Sequence, residues 1–539
     1  MVYLISLSTD IIVVVREAIT MKFYKNAFKA LTIVLAIASM AGRNAHAQED
    51  GNVDRSATLR YTWSAQPADY DPPFAKNPFV LIAYAMPVYD TLVRIDAKGN
   101  IVPSLATSWS FSNDGLTLTM QLRGDVKFSD GSDLNAAAVV KSLNRTKNDP
   151  NSLLAGQLKS FESFEAPNPS TVVAKLKLRD TSALYSLTSG AGMIVSAKAL
   201  DEGVKLGETP VGSGPYTLVS SGPGGATYQR NDGYFDKSQN QFAKVIIQAA
   251  PDAQARLNLL ASGQTDVGLF TGEQTVLVRA HQMGQSGKFT TYSVSSVNTL
   301  PLYLNTKIPP FDNPKVRMAL NLAIDRAAIS AGILNNECMP TSQPLPPGVV
   351  GHDPALVAYK QDIAKAKALL AEAGVKPFTF DVLLTTTEPF ASVGVLLKAQ
   401  LEAIGVGMNI LPAAPTAVRP MFRSGKYAGQ VGAFSVVSPD SSSIIDAAFM
   451  TPDTPGGVTP EFARAVEDAK TKQIGSPERE AAYKAISKMA YDDPQHVLVC
   501  WSPILVITRN GVVGAEKAPY LRATAVADIR NYSILKSAK

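Results

Sequence analysis

A chain of 539 residues, 46% of them hydrophobic, is long enough to bury more than one core. Its formal net charge is only +5, and five of its 51 basic and two of its 46 acidic residues precede Gln48, so the remainder is close to neutral. With no polybasic run, nucleic acid and anionic membrane are excluded as expected partners. No repeat of solenoid period is visible, and no low-complexity linker divides the chain.

In chain order, the first 47 residues read as an export segment. Lys22, Lys25 and Lys29 precede the apolar run Leu31–Met40, and Ala45-His46-Ala47 offers a small-x-small cleavage site before Gln48. The run is too short for a stable span. A second apolar patch, Ile11–Val15, is separated from it by Arg16, Glu17 and the lysines. Met21 is the expected start, with residues 1–20 an extension. No cysteine follows the apolar run, so no lipid anchor is expected, and release into the periplasm of a Gram-negative cell follows. The cysteines are Cys338 and Cys500. In an oxidising compartment they form either a disulfide or two separate buried thiols.

Strand-like and turn-rich sequence dominates residues 55–130 and 170–250. Asn113-Asp114-Gly115 makes a turn. Leu116, Leu118, Met120 and Leu122 then alternate with Thr117, Thr119 and Gln121, the period of a strand with one buried face, and Asp130-Gly131 turns again. Helical signals take over further on. Asn313-Pro314 reads as N-cap and first helical position, followed by a stripe of Val316, Ala319, Leu320, Ala323 and Ile324. Asp362 caps a second helix with Ala366, Leu369, Leu370 and Ala373 inward and Gly374 as its stop. Thr379–Leu384 reads as a strand and 391–404 as a helix stopped by Gly405. Thr459-Pro460 and Ser476-Pro477 open two more helices. Helices alternating with strands predict an α/β fold.

The chemistry of catalysis is not evident. His281, His352 and His496 have no second metal ligand at i+2 or i+4, so neither a metal nor another cofactor is expected. Gly212-Ser213-Gly214 lacks the spacing of a nucleophile elbow, and Pro215 suits a tight turn. Asp440, in Ser438-Pro439-Asp440-Ser441, has no second carboxylate near it in sequence to form an acid/base pair.

Five blocks in order carry a resemblance. Pro103-Ser-Leu-Ala-Thr-Ser-Trp109 with the following hairpin to Gly131 is one. Val211-Gly-Ser-Gly-Pro-Tyr216 and Asn231-Asp-Gly-Tyr-Phe235 are the next two. Ala255-Arg-Leu with Leu260-Ala-Ser-Gly263 and Asp266-Val267 follows. The last runs from Leu304-Asn305 through Pro309-Pro-Phe311, Val316-Arg317 and Ala319-Leu320 to Ala323-Ile-Asp-Arg326. Together they resemble bacterial solute-binding protein family 5, the peptide/nickel type, over roughly residues 55 to 535. Ser213 departs from the commoner Thr.

The resemblance implies a two-lobed periplasmic binding protein fold of type II, of the enlarged cluster with an extra subdomain. Lobe I would hold 48–305, including a subdomain at about 85–200, and would regain the chain at 506–539. Lobe II would occupy 306–505. Two crossing strands near Leu300–Asn305 and Val497–Ile507 would form the hinge, with the ligand enclosed as the lobes close. The expected function is that of the substrate-binding component of an ABC importer, a monomer that delivers a peptide or peptide-like solute to the permease. It is not that of an enzyme. A periplasmic hydrolase and a chaperone-like or sensory binding protein are the alternatives.

Peptide-binding relatives hold the ligand amine with an Asp after a Gly-Trp-like strand end. Here Gly432–Asp440 matches, with Val437 or Ser438 at that position and Asp440 displaced. Dipeptide-type relatives pair the ligand carboxylate with an Arg after a lobe II strand, and Thr385–Phe390 contains none. A simple dipeptide is therefore not the expected ligand, and longer peptides, opine-like solutes and sugar conjugates stay open. The expected contacts are Phe434, Ser435, Ser438 and Asp440, then Thr386 and Thr387, with Tyr70 and Phe79 flanking Asp71-Pro72-Pro73 and Trp501 at the return crossing. Trp109 is expected in the core. Arg317, Asp325 and Arg326 are expected to be structural.

Overall fold

The structure, a computed structural model, describes residues 52–67, 69–271, 274–432, 440–450, 454–517 and 528–536. The chain divides into two compact units, 1–54 with 535–539, and 55–534. In the small unit an isolated bridge joins Val53 to Leu535. All that follows concerns the large one.

Strand β1 (Thr58–Trp63) opens the main sheet. Strands β2 (Val93–Ile95) and β3 (Ile101–Pro103) pair as a small ribbon. Strands β4 (Ala106–Phe111), β5 (Thr117–Leu122), β6 (Phe161–Asn168) and β7 (Thr171–Leu176) form a four-stranded antiparallel sheet in the order β4-β5-β7-β6. The chain then returns to the main sheet with β8 (Tyr216–Gly222), β9 (Gly225–Arg230), β10 (Lys244–Ala249), β11 (Val267–Thr271) and the long β12 (Phe289–Leu304). It continues with β13 (Met339–Pro340), β14 (Phe378–Thr385), β15 (Val406–Ala413), β16 (Gly429–Val431) and the long β17 (Val497–Arg509). The main-sheet order is β15-β14-β16-β12-β17-β11-β1-β10-β9-β8, with β13 pairing β17.

In β5 the expected alternation holds from Leu118, with Leu118, Met120 and Leu122 buried. Leu116 stands before the strand and is 39% exposed, because the turn through Gly115 ends only after it. Trp109, expected in the core, is only half-buried against the first cluster, since β4 is an edge strand.

The buried residues form three clusters. The first joins β1, β10, the four-stranded sheet and the chain's return at 504–534. The second gathers Val316, Ala319, Leu320, Ala323 and Ile324 with β14 and the helix Phe390–Glu402. The third packs Tyr303, Phe422, Ile444 and Phe449 against Tyr483 and Ile486. Asn313 caps the helix Pro314–Ala323 by accepting from Lys315 N, and Asp362 caps Ile363–Glu372 through Lys365 N. Thr459 and Ser476 cap Pro460–Thr471 and Pro477–Asp492 in the same way.

Two of the resembling blocks meet on one buried carboxylate. Asp90 accepts from Tyr234 Oη at 3.1 Å and Ser213 Oγ at 3.4 Å, and it pairs with Arg530 Nη2 at 2.9 Å. Asn231 Nδ2 donates to Gly214 O at 2.9 Å, and Gly214 N to Val88 O at 2.7 Å. A Cβ on Gly214 would stand 2.4 Å from the Val88 carbonyl carbon, so the turn needs glycine there. Ser213 is thus a buried turn residue. Arg317 and Arg326 are structural as expected. Arg317 donates to Pro494 O and Phe311 O, and Arg326 donates to Thr341 O and Leu498 O. Asp325 caps the helix Arg326–Leu334.

Candidate functional site

The directions of the strands define the site. β1 is parallel to β10 and β11, β11 is antiparallel to β17, and β17 is antiparallel to β12. β1, β10 and β11 therefore run the same way as β12. At the other end, β16 is antiparallel to β12, while β14 and β15 run parallel to β16. β12 begins beside β17, whose other edge carries β11, and ends beside β16. The carboxyl ends of both strand sets therefore point at each other across the middle of β12 and β17. Ligands of open α/β sheets bind outside such strand ends, and here two sets of ends converge.

The crossing itself is irregular. β12 and β17 pair regularly from Phe289–Arg509 to Ser295–Pro503, then shift register between Ser295, Thr299 and Pro301. Bulges of this kind bend a strand pair. At the shift Thr299 faces Trp501, which in turn faces Met339 of β13. Cys338 and Cys500 are joined beside this point, with Cα atoms 5.6 Å apart.

The expected contact residues fall in different places. Trp501 lies at the crossing and is 2% exposed. Thr386 and Thr387 are exposed on the loop that leaves the carboxyl end of β14. Tyr70 is buried in the first cluster, where its hydroxyl bonds Ser221 Oγ at 3.0 Å and Tyr228 Oη at 3.3 Å. Burial pushes that phenol up, so it stays protonated. Phe79 belongs to the helix Pro78–Ala85. Phe434, Ser435 and Ser438 lie outside the described residues. Asp440 was expected to face the ligand, yet both its oxygens meet Arg479 Nη2, at 3.1 and 2.9 Å, and it caps the helix Ser441–Phe449 through Ser442 N at 2.9 Å. These bonds tie the carboxylate to protein groups.

Arg479 and Thr299 were not read from the sequence as site residues. Arg479 also donates to Thr181 Oγ1 at 3.2 Å, while Thr181 N donates to Lys470 O at 3.1 Å. Thr299 is fully buried, and its hydroxyl makes no hydrogen bond among the described residues. No sequence signal marks a lone Thr in a strand or an Arg within a capped helix. A separate cavity of about 410 Å³ is lined by Lys159, Ser160, Ser186, Ser442, Asp446 and Lys470 and carries both signs of charge. None of its lining residues belongs to the loops that directly follow these strands, so the topology favours the strand ends. No group of three metal-ligating side chains occurs among the described residues, and none of their helices is long and apolar enough to cross a membrane.

Residues 100–455 match the family described as "Bacterial extracellular solute-binding proteins, family 5 Middle". The chain belongs to this family. Members of family 5 are periplasmic binding proteins that serve ABC importers. Heme-binding protein A of Haemophilus influenzae is 30% identical over 375 residues, 64% of this chain and 67% of that protein. Glutathione-binding protein GsiB of Salmonella typhimurium is 30% identical over 354 residues, 63% of this chain and 66% of that protein. In fold, the chain matches the ABC transporter-associated periplasmic binding protein DppA from Helicobacter pylori, solved with the peptide STSA. The TM-score is 0.76 at 22% identity, covering 91% of this chain and 100% of that one. The two-lobed periplasmic binding protein fold is therefore that of this family 5 member. None of these relatives supports a hydrolase.

Proposed function

We propose that this protein is the periplasmic substrate-binding component of an ABC importer. It captures a peptide or peptide-like organic solute between two lobes and hands it to the membrane permease. The observation that carries this reading is the convergence of two sets of strand ends on one bulged pair of crossing strands. A hinge at that pair lets each lobe contribute contacts that form together only on closure.

Lobe I comprises 48–305 with 506–539, and lobe II comprises 306–505. The region 85–200, which contains the four-stranded sheet, is a subdomain of lobe I. The protein works as a monomer, freed into the periplasm by cleavage after Ala47. Thr386, Thr387 and Trp501 supply contacts together with Phe434, Ser435 and Ser438 on the segment after β16. Tyr70 and Phe79 back the crevice from lobe I. Asp440 holds the end of that segment in place. Similarity to proteins named for binding heme and glutathione, and to one solved with a peptide, supports an organic solute.

The test is a thermal-shift and calorimetric screen of the mature protein against peptides and other organic solutes, with each mixture assayed for conversion. A stabilising solute that is recovered unchanged is expected. Turnover of the bound compound, lost on replacing one crevice side chain, would contradict the reading.

A further inference from the structure

Thr181 brings two distant parts of the chain together. It stands between β7 and the helix Ala183–Ser186, and in the lobe division proposed above it belongs to lobe I. Thr181 N donates to Lys470 O at 3.1 Å, and Thr181 Oγ1 donates to Lys472 O at 2.6 Å. Arg479 Nη1 donates to Thr181 Oγ1 at 3.2 Å. These partners belong to lobe II. Thr181 is 5% exposed, so the bonds are made out of water.

The acceptors are carbonyls at the end of the helix Pro460–Thr471, where the last turn lacks intrahelical donors. Lys472 N turns back to Ala469 O, whereas Lys470 O and Lys472 O take donors from Thr181. Arg479 adds its charge at the same negative helix end, through Ala469 O at 3.3 Å and Lys472 O at 3.2 Å.

This contact is built to part. Among the described residues no apolar cluster runs through it: Ala183 and Leu184 pack in the first cluster, Ala469 and Tyr483 in the third. Open space flanks it as well. The cavity of about 410 Å³ is lined from lobe I by Asp180 and Ser182 and from lobe II by Ser442 and Lys470. A second cavity, of about 630 Å³, is lined by Thr181, Trp109 and Leu184 together with Gln473 and Ile474. Motion between domains is the expectation where their interface is neither large nor hydrophobic. On separation water can replace Thr181 at both carbonyls. Arg479 keeps Asp440 and the helix-end carbonyls, so no buried charge is left unpaired.

We infer that Thr181 is the latch of the receptor. Its bonds form as the lobes close and break as they open, and they hold a fraction of the solute-free protein closed. The hydroxyl is taken up by Lys472 and Arg479, so Thr181 is a positioning residue that acts through them and not on the solute. Arg479 in turn holds Asp440, which caps the helix Ser441–Phe449 that follows β16. A solute enclosed by both lobes is held in the closed state, so affinity rises with the closed fraction. This rests on the receptor reading above and its two lobes, and adds what keeps them shut.

The test is pulsed electron resonance on the mature protein without solute, with nitroxides on Glu162→Cys and Glu461→Cys, exposed positions of the two lobes. A short-distance closed population and a longer-distance open one are expected. Thr181→Val keeps the shape and loses the hydroxyl, and should lower the closed-to-open ratio at least about threefold, the worth of one such hydrogen bond. Thr181→Ala should act in the same direction, and Thr181→Ser should restore the natural ratio. An equal ratio in Thr181→Val and the natural protein, or a natural protein with no closed population, would overturn the latch. Distances that stay fixed when peptides and other organic solutes are added would instead count against the receptor reading, because the latch is judged on the solute-free protein alone.

Discussion

Arg479 grips both carboxylate oxygens of Asp440, and the same guanidinium donates through Nη1 to Thr181, almost three hundred residues away in sequence. Arg479 is 1% exposed and Asp440 is 6% exposed. The pair therefore sits where the start of the helix Ser441–Phe449, the helix Pro477–Asp492 and the loop before Ala183 come together.

Removing one member of so buried a pair leaves an uncompensated charge. Arg479→Leu should cost about 3–5 kcal/mol of stability, measured by urea unfolding. The double variant Arg479→Leu with Asp440→Asn should recover part of that loss. Asp440→Asn alone should act chiefly on stability, because its carboxylate serves the fold. A variant of unchanged stability but weakened solute binding would return Asp440 to the ligand contacts.

The bond between Cys338 and Cys500 closes a loop of 162 residues beside the crossing. Constraining so long a loop in the unfolded chain should contribute about 3–5 kcal/mol in the chain-entropy treatment. Cys338→Ser with Cys500→Ser should lower the unfolding midpoint accordingly. Thiol labelling of unreduced protein should modify no cysteine. Two labelled thiols would contradict the pairing.

His496 is a buried imidazole with a defined tautomer. Nδ1 accepts from Leu304 N at 3.2 Å, so Nε2 carries the proton and donates to Ala448 O at 2.9 Å. Burial, with a smaller contribution from Arg419, lowers its pKa to about 3. The unfolded chain, with an ordinary histidine near 6.5, takes up a proton that the folded chain refuses. Stability should therefore fall as pH drops below about 6.5, an effect that ends near pH 3. Between pH 6.5 and 5, above the carboxylates, His496→Gln should show a flatter dependence of melting temperature on pH than the natural protein. Equal slopes would contradict a neutral buried His496.

The α/β class and many helix boundaries were legible because they rest on local chemistry. Asn313-Pro314, Asp362, Thr459-Pro460 and Ser476-Pro477 each announce a helix start within four residues, and all four cap as read. The family was legible because five motif blocks recur in order, and two of them meet in the structure on Asp90 through Ser213 and Tyr234. The site was less so. Asp440 looks like a ligand residue from its neighbours, and only the fold brings Arg479 to it from 39 positions away. Tyr70 likewise looks like a loop aromatic until Ser221 and Tyr228 close around its hydroxyl. Contacts fixed by strand order leave no mark on the neighbouring sequence.

Solute capture is tested most directly by native mass spectrometry of the mature protein titrated with the solute that the thermal-shift screen identifies. The account predicts one solute per chain, bound without chemical change and released intact on unfolding. Chains that stay free of solute at saturating concentration, or that release an altered compound, would contradict it.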